Sequence, residues 1–301
     1  MNITERCPDF KSGFVSFAGA PNVGKSTLLN RMLGGKVSIT SKKAQTTRNR
    51  ILGVVHRPSA QFVFLDTPGV HNAKNMLNVR MVDVAMSAIA DGDIILFIAD
   101  LSEPDPASEE ILLEKIGKQN KPVILALNKS DLVKKAEIPE AEEKWKKRYM
   151  FKAVIPVSAK HGTQIELLLD FMEELLPRGP AYFPEDALTD MPERFIAAEM
   201  IREKVFRFTG QEIPYSAAVT VDSFSEEHRE SLIKIHATIH VERDSQKGIL
   251  IGKNGIKLKK IGEEARKEIE LMLGTKVFLK LFVRVQKNWS KDTRALRNFG
   301  Y

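Results

Sequence analysis

The 301-residue chain is 43% hydrophobic and 28% charged, the balance of an ordinary globular protein, and it is long enough for about two domains. Its longest fully apolar run, Ile94 to Ala99, is far short of the ~20 residues a membrane-spanning helix needs. Met1 to Phe10 shows no secretory apolar core, and the lone Cys7 excludes an intramolecular disulfide, so a reducing cytoplasm is expected. The formal net charge of +7 is unevenly placed: Lys247 to Tyr301 holds 14 Lys and Arg against 5 Asp and Glu. Such a concentration favours a polyanionic partner.

In chain order, Phe14 to Ala18 predicts a short buried strand and Thr27 to Leu33 a helix. Between them Gly19-Ala20-Pro21-Asn22-Val23-Gly24-Lys25-Ser26 fits the pattern G-x-x-x-x-G-K-[ST]. Glycines there let backbone N–H groups approach phosphates at a helix N-terminus. In that pattern Lys25 reaches the terminal phosphates and Ser26 ligates Mg2+, and the nucleotide-contacting set runs on to Thr27. Ser41 to Arg50 is polar, basic and aperiodic, which predicts a loop.

Strands are expected over 51–56, 61–66, 94–100, 123–128 and 153–158, with helices over 79–90, 108–118, 138–149 and 164–176. This alternation predicts a doubly wound, mostly parallel α/β domain over residues 1–176, with ligands at the carboxyl ends of the strands. Those ends carry Asp66-Thr67-Pro68-Gly69, Asn128-Lys129-Ser130-Asp131 and Ser158-Ala159-Lys160. With the phosphate loop, this ordered set resembles the Ras-like GTPase superfamily.

The resemblance implies that Asp66 holds Mg2+ through water and that the Gly69 amide senses the γ-phosphate. It implies too that Asp131 accepts from guanine N1 and N2, that Asn128 and Lys129 shape the base pocket, and that the Ala159 amide meets O6. Lys25, Thr47 and Gly69 are the expected catalytic groups. A loop threonine should join Ser26 and Asp66 on Mg2+; spacing alone does not choose between Thr46 and Thr47, and Thr47 is favoured. Gln45-Thr46-Thr47-Arg48 resembles the switch of the Era group of GTPases. Val70 stands where Ras-like proteins place a water-orienting Gln, and Asn22 is a candidate K+ ligand beside the phosphates. His71, just past Gly69, is a further residue to watch.

Residues 177–192 carry five Pro or Gly (Pro177, Gly179, Pro180, Pro184, Pro192), which predicts an ordered or semi-rigid linker. Residues 193–301 then read helix (193–208), strand (216–223), alternating strand (233–241), helix, Gly252-Lys253-Asn254-Gly255, helix and strand (276–286). That order resembles a type II KH domain, a smaller α+β module whose Gly-x-x-Gly turn clamps a nucleic-acid backbone. Lys253, Lys257, Lys259 and Lys260 would supply counter-charge there. Gly248-x-x-x-Gly252-Lys253 is not a second phosphate loop: it is one spacer short, and Asn254 replaces the hydroxyl residue. In the tail, Trp289, Phe299 and Tyr301 lie among Lys291, Arg294 and Arg297, fit either to stack on bases or to pack onto the parent domain.

Together the resemblances imply a Mg2+-dependent GTP hydrolase, a monomer, that binds the 3′ end of small-subunit ribosomal RNA during ribosome assembly. Two rivals share the motifs: an RNA-binding protein whose affinity is gated by nucleotide with little turnover, and a membrane-surface GTPase anchored by its basic region, whose peripheral pool could coexist with RNA binding.

Overall fold

The structure, a computed structural model, describes residues 9–41, 43, 45–70, 76–210, 213–227 and 232–301. Cys7 and His71 lie outside the described residues. Contacts divide the chain into two units: Met1–Ser38, Thr47–Lys74 and Asn78–Asp190 form one, and Ile39–Thr46, Asn75–Leu77 and Met191–Tyr301 the other.

The first unit contains β1 (Lys11–Ala18), α1 (Lys25–Leu33), β2 (Ile51–His56), β3 (Ala60–Asp66), β4 (Ile94–Asp100), α3 (Pro106–Gly117), β5 (Val123–Asn128), α4 (Ile138–Arg148), β6 (Ala153–Pro156) and α5 (Ile165–Leu175). All but the first residues of α2 (Met76–Asp91) belong to it as well. Its six strands run in the order β2-β3-β1-β4-β5-β6. Every pairing is parallel except β2 with β3, whose short connection makes a hairpin. Strands β3, β4 and β5 are buried along their whole length, which is why they read as continuous apolar runs rather than alternating ones. Ala85 and Ile89 of α2, Leu112 and Ile116 of α3 and Trp145 of α4 cluster with Phe97 and Leu125. Each fully buried Leu, Ile or Phe among them contributes about 1.5–3 kcal/mol.

The Pro- and Gly-rich segment is an ordered strap as far as Asp190. The Gln61 side chain, fully buried, accepts the N–H groups of Tyr182 (2.7 Å) and Phe183 (3.0 Å) and donates to the Phe183 carbonyl (2.8 Å). Val54 N donates to Leu188 O at 2.9 Å, and Thr189 Oγ1 donates to Leu52 O at 2.6 Å. The strap thus covers the edge of β2, an edge that would otherwise offer unpaired backbone groups to another chain.

The second unit follows the expected order: α6 (Glu193–Phe208), a single turn α7 (Ile213–Ser216), β7 (Ala218–Glu227), β8 (Leu232–Val241), α8 (Asp244–Ile251), α9 (Ile256–Leu273), β9 (Lys276–Val285) and α10 (Thr293–Asn298). The sheet order is β7-β8-β9, antiparallel then parallel. Strand β7 begins two residues later than the expected 216, because Ile213–Ser216 coils first, and runs on past the expected 223 to Glu227. On β8, Ile233, Ile235, Ala237 and Ile239 face inward, against Ile201 and Val205 of α6 and Ile261, Ala265 and Ile269 of α9. The tail packs onto its own unit. Trp289 is fully buried, its Nε1 donates to Ser216 O at 2.9 Å, and its ring lies 5.3 Å from Phe299 and 6.0 Å from Tyr301. No helix among the described residues is long and apolar enough to cross a membrane.

Candidate nucleotide and RNA sites

The carboxyl ends of β1, β3 and β5 bring the phosphate loop, Asp66 and Asn128 to one edge of the sheet. The loop runs from Gly19 and Ala20 through Pro21, Asn22 and Val23 to Gly24, which caps α1 with φ of 99°. A Cβ on Gly24 would stand 2.3 Å from Asn128 Nδ2, so both the conformation and the space require glycine. Lys25 is buried, and its Nζ donates to the carbonyls of Gly19 (3.0 Å) and Ala20 (2.8 Å). Desolvation pulls its pKa down to about 8, opposed in part by the charge of Asp66. Thr27 follows Ser26 in the first turn of α1, half-buried.

Ser26 Oγ donates to Asp66 Oδ2 at 2.7 Å and lies 2.8 Å from Thr47 Oγ1. The structure thus brings Thr47, of the two adjacent threonines, to Ser26 and Asp66. Thr46 Oγ1 instead donates to Lys43 O at 2.7 Å. Burial raises the Asp66 pKa, against the pull of the Ser26 hydrogen bond and the Lys25 charge. Its Oδ1 is buried with no hydrogen-bond partner. One carboxylate and two hydroxyls, with an oxygen left unsatisfied, are hard donors that fit a partly hydrated Mg2+. Gly69 lies against Pro21, whose Cα would be 2.6 Å from any Cβ placed there, and Val70 is buried.

Asn128 ties three loops together. Its Nδ2 donates to Val23 O at 2.7 Å, and its Oδ1 accepts from Ala159 N at 2.9 Å. Lys129 has φ of 63° and pairs through Nζ with Asp100. Asp131 Oδ1 accepts from Ser158 Oγ at 2.6 Å, a bond that lowers the Asp131 pKa and orients its carboxylate. Arg31 Nε donates to Ala159 O at 3.2 Å and its Nη2 to Lys160 O, bracing that loop from α1.

Arg31, Ser38 and Asp100 escaped sequence reasoning. Ser38 Oγ donates to Asp66 Oδ2 at 2.9 Å, yet a lone serine in an aperiodic segment carries no signal. Asp100 ends a strand and so had a positional cue. A cavity of about 670 Å3 lies elsewhere, lined by Lys11, Arg57, Glu166, Asp170 and Glu173. There Arg57 already donates to three carboxylates at 2.6, 2.6 and 3.0 Å, so its charge is matched from within the unit.

In the second unit, Gly252 (φ 72°) and Gly255 (φ 76°) flank the exposed Lys253 and Asn254, and Gly255 caps the 18-residue α9. Lys257 is half-buried, Lys259 and Lys260 are exposed, and Lys260 Nζ sits 5.0 Å above the Phe208 ring. Lysines around the N-terminus of a helix, the positive end of its dipole, make a surface for anions.

The fold and both sites define a Ras-like P-loop GTPase joined to a KH domain. Residues 14–129 match the family described as 50S ribosome-binding GTPase, and residues 212–290 match the KH domain family. GTPase Era of Geobacter metallireducens is 54% identical over 292 residues, covering 97% of this chain and 98% of that one. Two solved structures share 42% identity with a TM-score of 0.93, each covering 97% of this chain and 99% of the other. One is a point variant of Aquifex aeolicus Era bound to GDP and aluminium fluoride; the other is Era in complex with MgGDPNP and nucleotides 1506–1542 of 16S ribosomal RNA. The chain belongs to the Era family of GTPases.

Asn128→Ala tests the loop tie apart from nucleotide chemistry. It orphans Val23 O and Ala159 N, at about 1–3 kcal/mol for each buried group. Urea unfolding should show that loss; a midpoint equal to that of the unsubstituted protein would mean that the three loops hold without Asn128.

Proposed function

We propose that the chain is a slow, Mg2+-dependent GTP hydrolase that times the binding of small-subunit ribosomal RNA, near its 3′ end, during subunit assembly in the cytoplasm. The observation that carries the GTPase half is the cluster of Lys25, Ser26, Thr47 and Asp66 beside the phosphate loop. The amides of residues 19–27 and Lys25 take the phosphates, and Ser26, Thr47 and Asp66 hold the metal, which would neutralise phosphate charge. The Gly69 amide reads the γ-phosphate. Asp131, ionised and aimed by Ser158, accepts from guanine N1–H and the 2-amino group. Ala159 N, which donates to Asn128 Oδ1 at 2.9 Å, is shared with guanine O6 when the base is bound, and Lys129 and Lys160 border the base.

Val70 is apolar and buried, so it orients no water, and turnover depends on charge stabilisation between the β- and γ-phosphates. Asn22 is exposed in a left-handed conformation, φ 65°, with its amide oxygen available to a K+ ion in that position. GTP turnover should therefore be faster in K+ than in Na+ at equal ionic strength, and Asn22→Ala should erase the difference. Equal rates in the two salts would remove the cation from the mechanism and leave Asn22 as a loop residue.

For the RNA half, the support is the exposed Gly252–Gly255 turn with its lysines, together with the ribosomal RNA bound by a relative of the same fold. Gly255→Asp adds a side chain at φ 76° and a negative charge where phosphate must approach. Binding to a 3′-terminal fragment of small-subunit ribosomal RNA should fall at least about tenfold at physiological salt, with intrinsic GTP hydrolysis intact. Normal RNA binding by that variant would dismiss the turn as the RNA site.

A further inference from the structure

The outer face of the second unit's sheet carries a pattern that the turn does not explain. Strand β9 presents Lys276, Phe278, Lys280, Phe282 and Arg284 at every second position, away from the core that its Val277 helps to close. Phe278 and Phe282 are 49% and 45% exposed. Next to them β8 presents Lys234, His236 and Thr238, in register with Phe278, Lys280 and Phe282. His236 meets both rings edge-on, at 6.3 and 6.4 Å between centroids, and Lys280 Nζ lies 5.2 Å over Phe282. Neither β8 nor β9 contains an Asp or Glu. Asp222 of β7 accepts from Thr220 and Thr238 at 3.3 and 2.6 Å, and the two other carboxylates of that strand, Glu226 and Glu227, stand at its far end. The tail reaches one end of the face, where the Phe299 ring lies 4.3 Å from His240.

Strand propensity alone would be met by Val or Thr, and it does not call for bases and phenyl rings in alternation. Two half-exposed rings about 13 Å apart along one strand, interleaved with cations, offer π-faces to bases and counter-charge to the intervening phosphates. We propose that this face is a second RNA surface, which takes an unpaired strand by stacking on Phe278 and Phe282. It lies on the side of the sheet opposite α6 and α9, whereas the Gly252–Gly255 turn belongs to the helix layer. The proposal goes beyond the RNA reading given above, and either surface can fail without the other.

The test uses the full chain and a 20-nucleotide single-stranded RNA of mixed sequence that carries 5-iodouridine. Irradiation and peptide mapping should place adducts at Phe278 or Phe282, and these should persist in Gly255→Asp. The double variant Phe278→Leu/Phe282→Leu keeps apolar bulk on the strand and removes the rings. It should weaken binding at least about fivefold per ring, with melting temperature and GTP hydrolysis unchanged. Adducts confined to residues 248–260, with unchanged affinity in the double variant, would overturn the second surface while sparing the turn. The second surface is likewise overturned if the double variant keeps its RNA affinity but loses a protein partner or anionic vesicles, for the face would then dock a different class of ligand. An inert Gly255→Asp with persistent Phe278 or Phe282 adducts would instead sink the turn and keep the sheet.

Discussion

Lys25 holds a cation where water does not reach, and the surroundings of that ammonium group organise the first unit. Burial pulls its pKa from 10.5 to about 8, which at about 1.4 kcal/mol per unit makes the charged form roughly 3 kcal/mol less favourable than in water. That cost is what remains after the charge of Asp66 has offset part of the desolvation, and Nζ keeps hydrogen bonds to the carbonyls of Gly19 and Ala20. Asp66 meets the opposite difficulty, since burial raises its pKa while Ser26 and Ser38 donate to it. A phosphate beside Lys25 and a cation beside Asp66 relieve both strains, so the fold stores in its phosphate loop a preference for a metal-bound polyphosphate.

Holding that arrangement is the task of groups with no chemistry of their own. Asn128 binds the loop after β1 to the loop after β6, and Gly24 is glycine because Asn128 stands where a side chain would go. Arg31 braces the carbonyls of Ala159 and Lys160, and Ser158 turns Asp131. The loops of the pocket are therefore held in place by side chains, whereas the residue after Gly69 is a buried valine, Val70. The timing role proposed above would draw on that combination, a braced pocket and a hydrolytic step open to control by a partner.

Much of this was legible in the sequence because the signals were of two robust kinds. Continuous apolar runs gave β3, β4 and β5 to within a residue, and the motifs fell at the carboxyl ends of β1, β3, β5 and β6 as the α/β rule requires. The alternation of residues 233–241 marked the half-buried β8, and the turn between α8 and α9 showed itself through its glycines. What stayed hidden depended on long-range partners. Proline content marks residues 177–192 as ordered or semi-rigid, but it could not reveal that Gln61 of β3 would hold Tyr182 and Phe183 while β2 bonds Leu188 and Thr189. Adjacent threonines look alike in sequence, and only the fold brings Thr47 rather than Thr46 to Ser26. The tail aromatics suit either bases or core by composition, and the bond from Trp289 Nε1 to Ser216 O assigns Trp289 to the core, while Ser38 carries no signal at all.

At pH 8, then, Lys25 in the free protein should be about half deprotonated, and a phosphate beside it should restore the proton. Calorimetric titration of GDP at pH 8, without magnesium and in two buffers of different ionisation enthalpy, measures that proton directly. With a free-protein pKa of about 8 that phosphate raises again, binding should take up about half a proton, and Lys25→Met should take up none. A binding enthalpy that is the same in both buffers would contradict this, because Lys25 would then carry its charge whether or not a phosphate is bound.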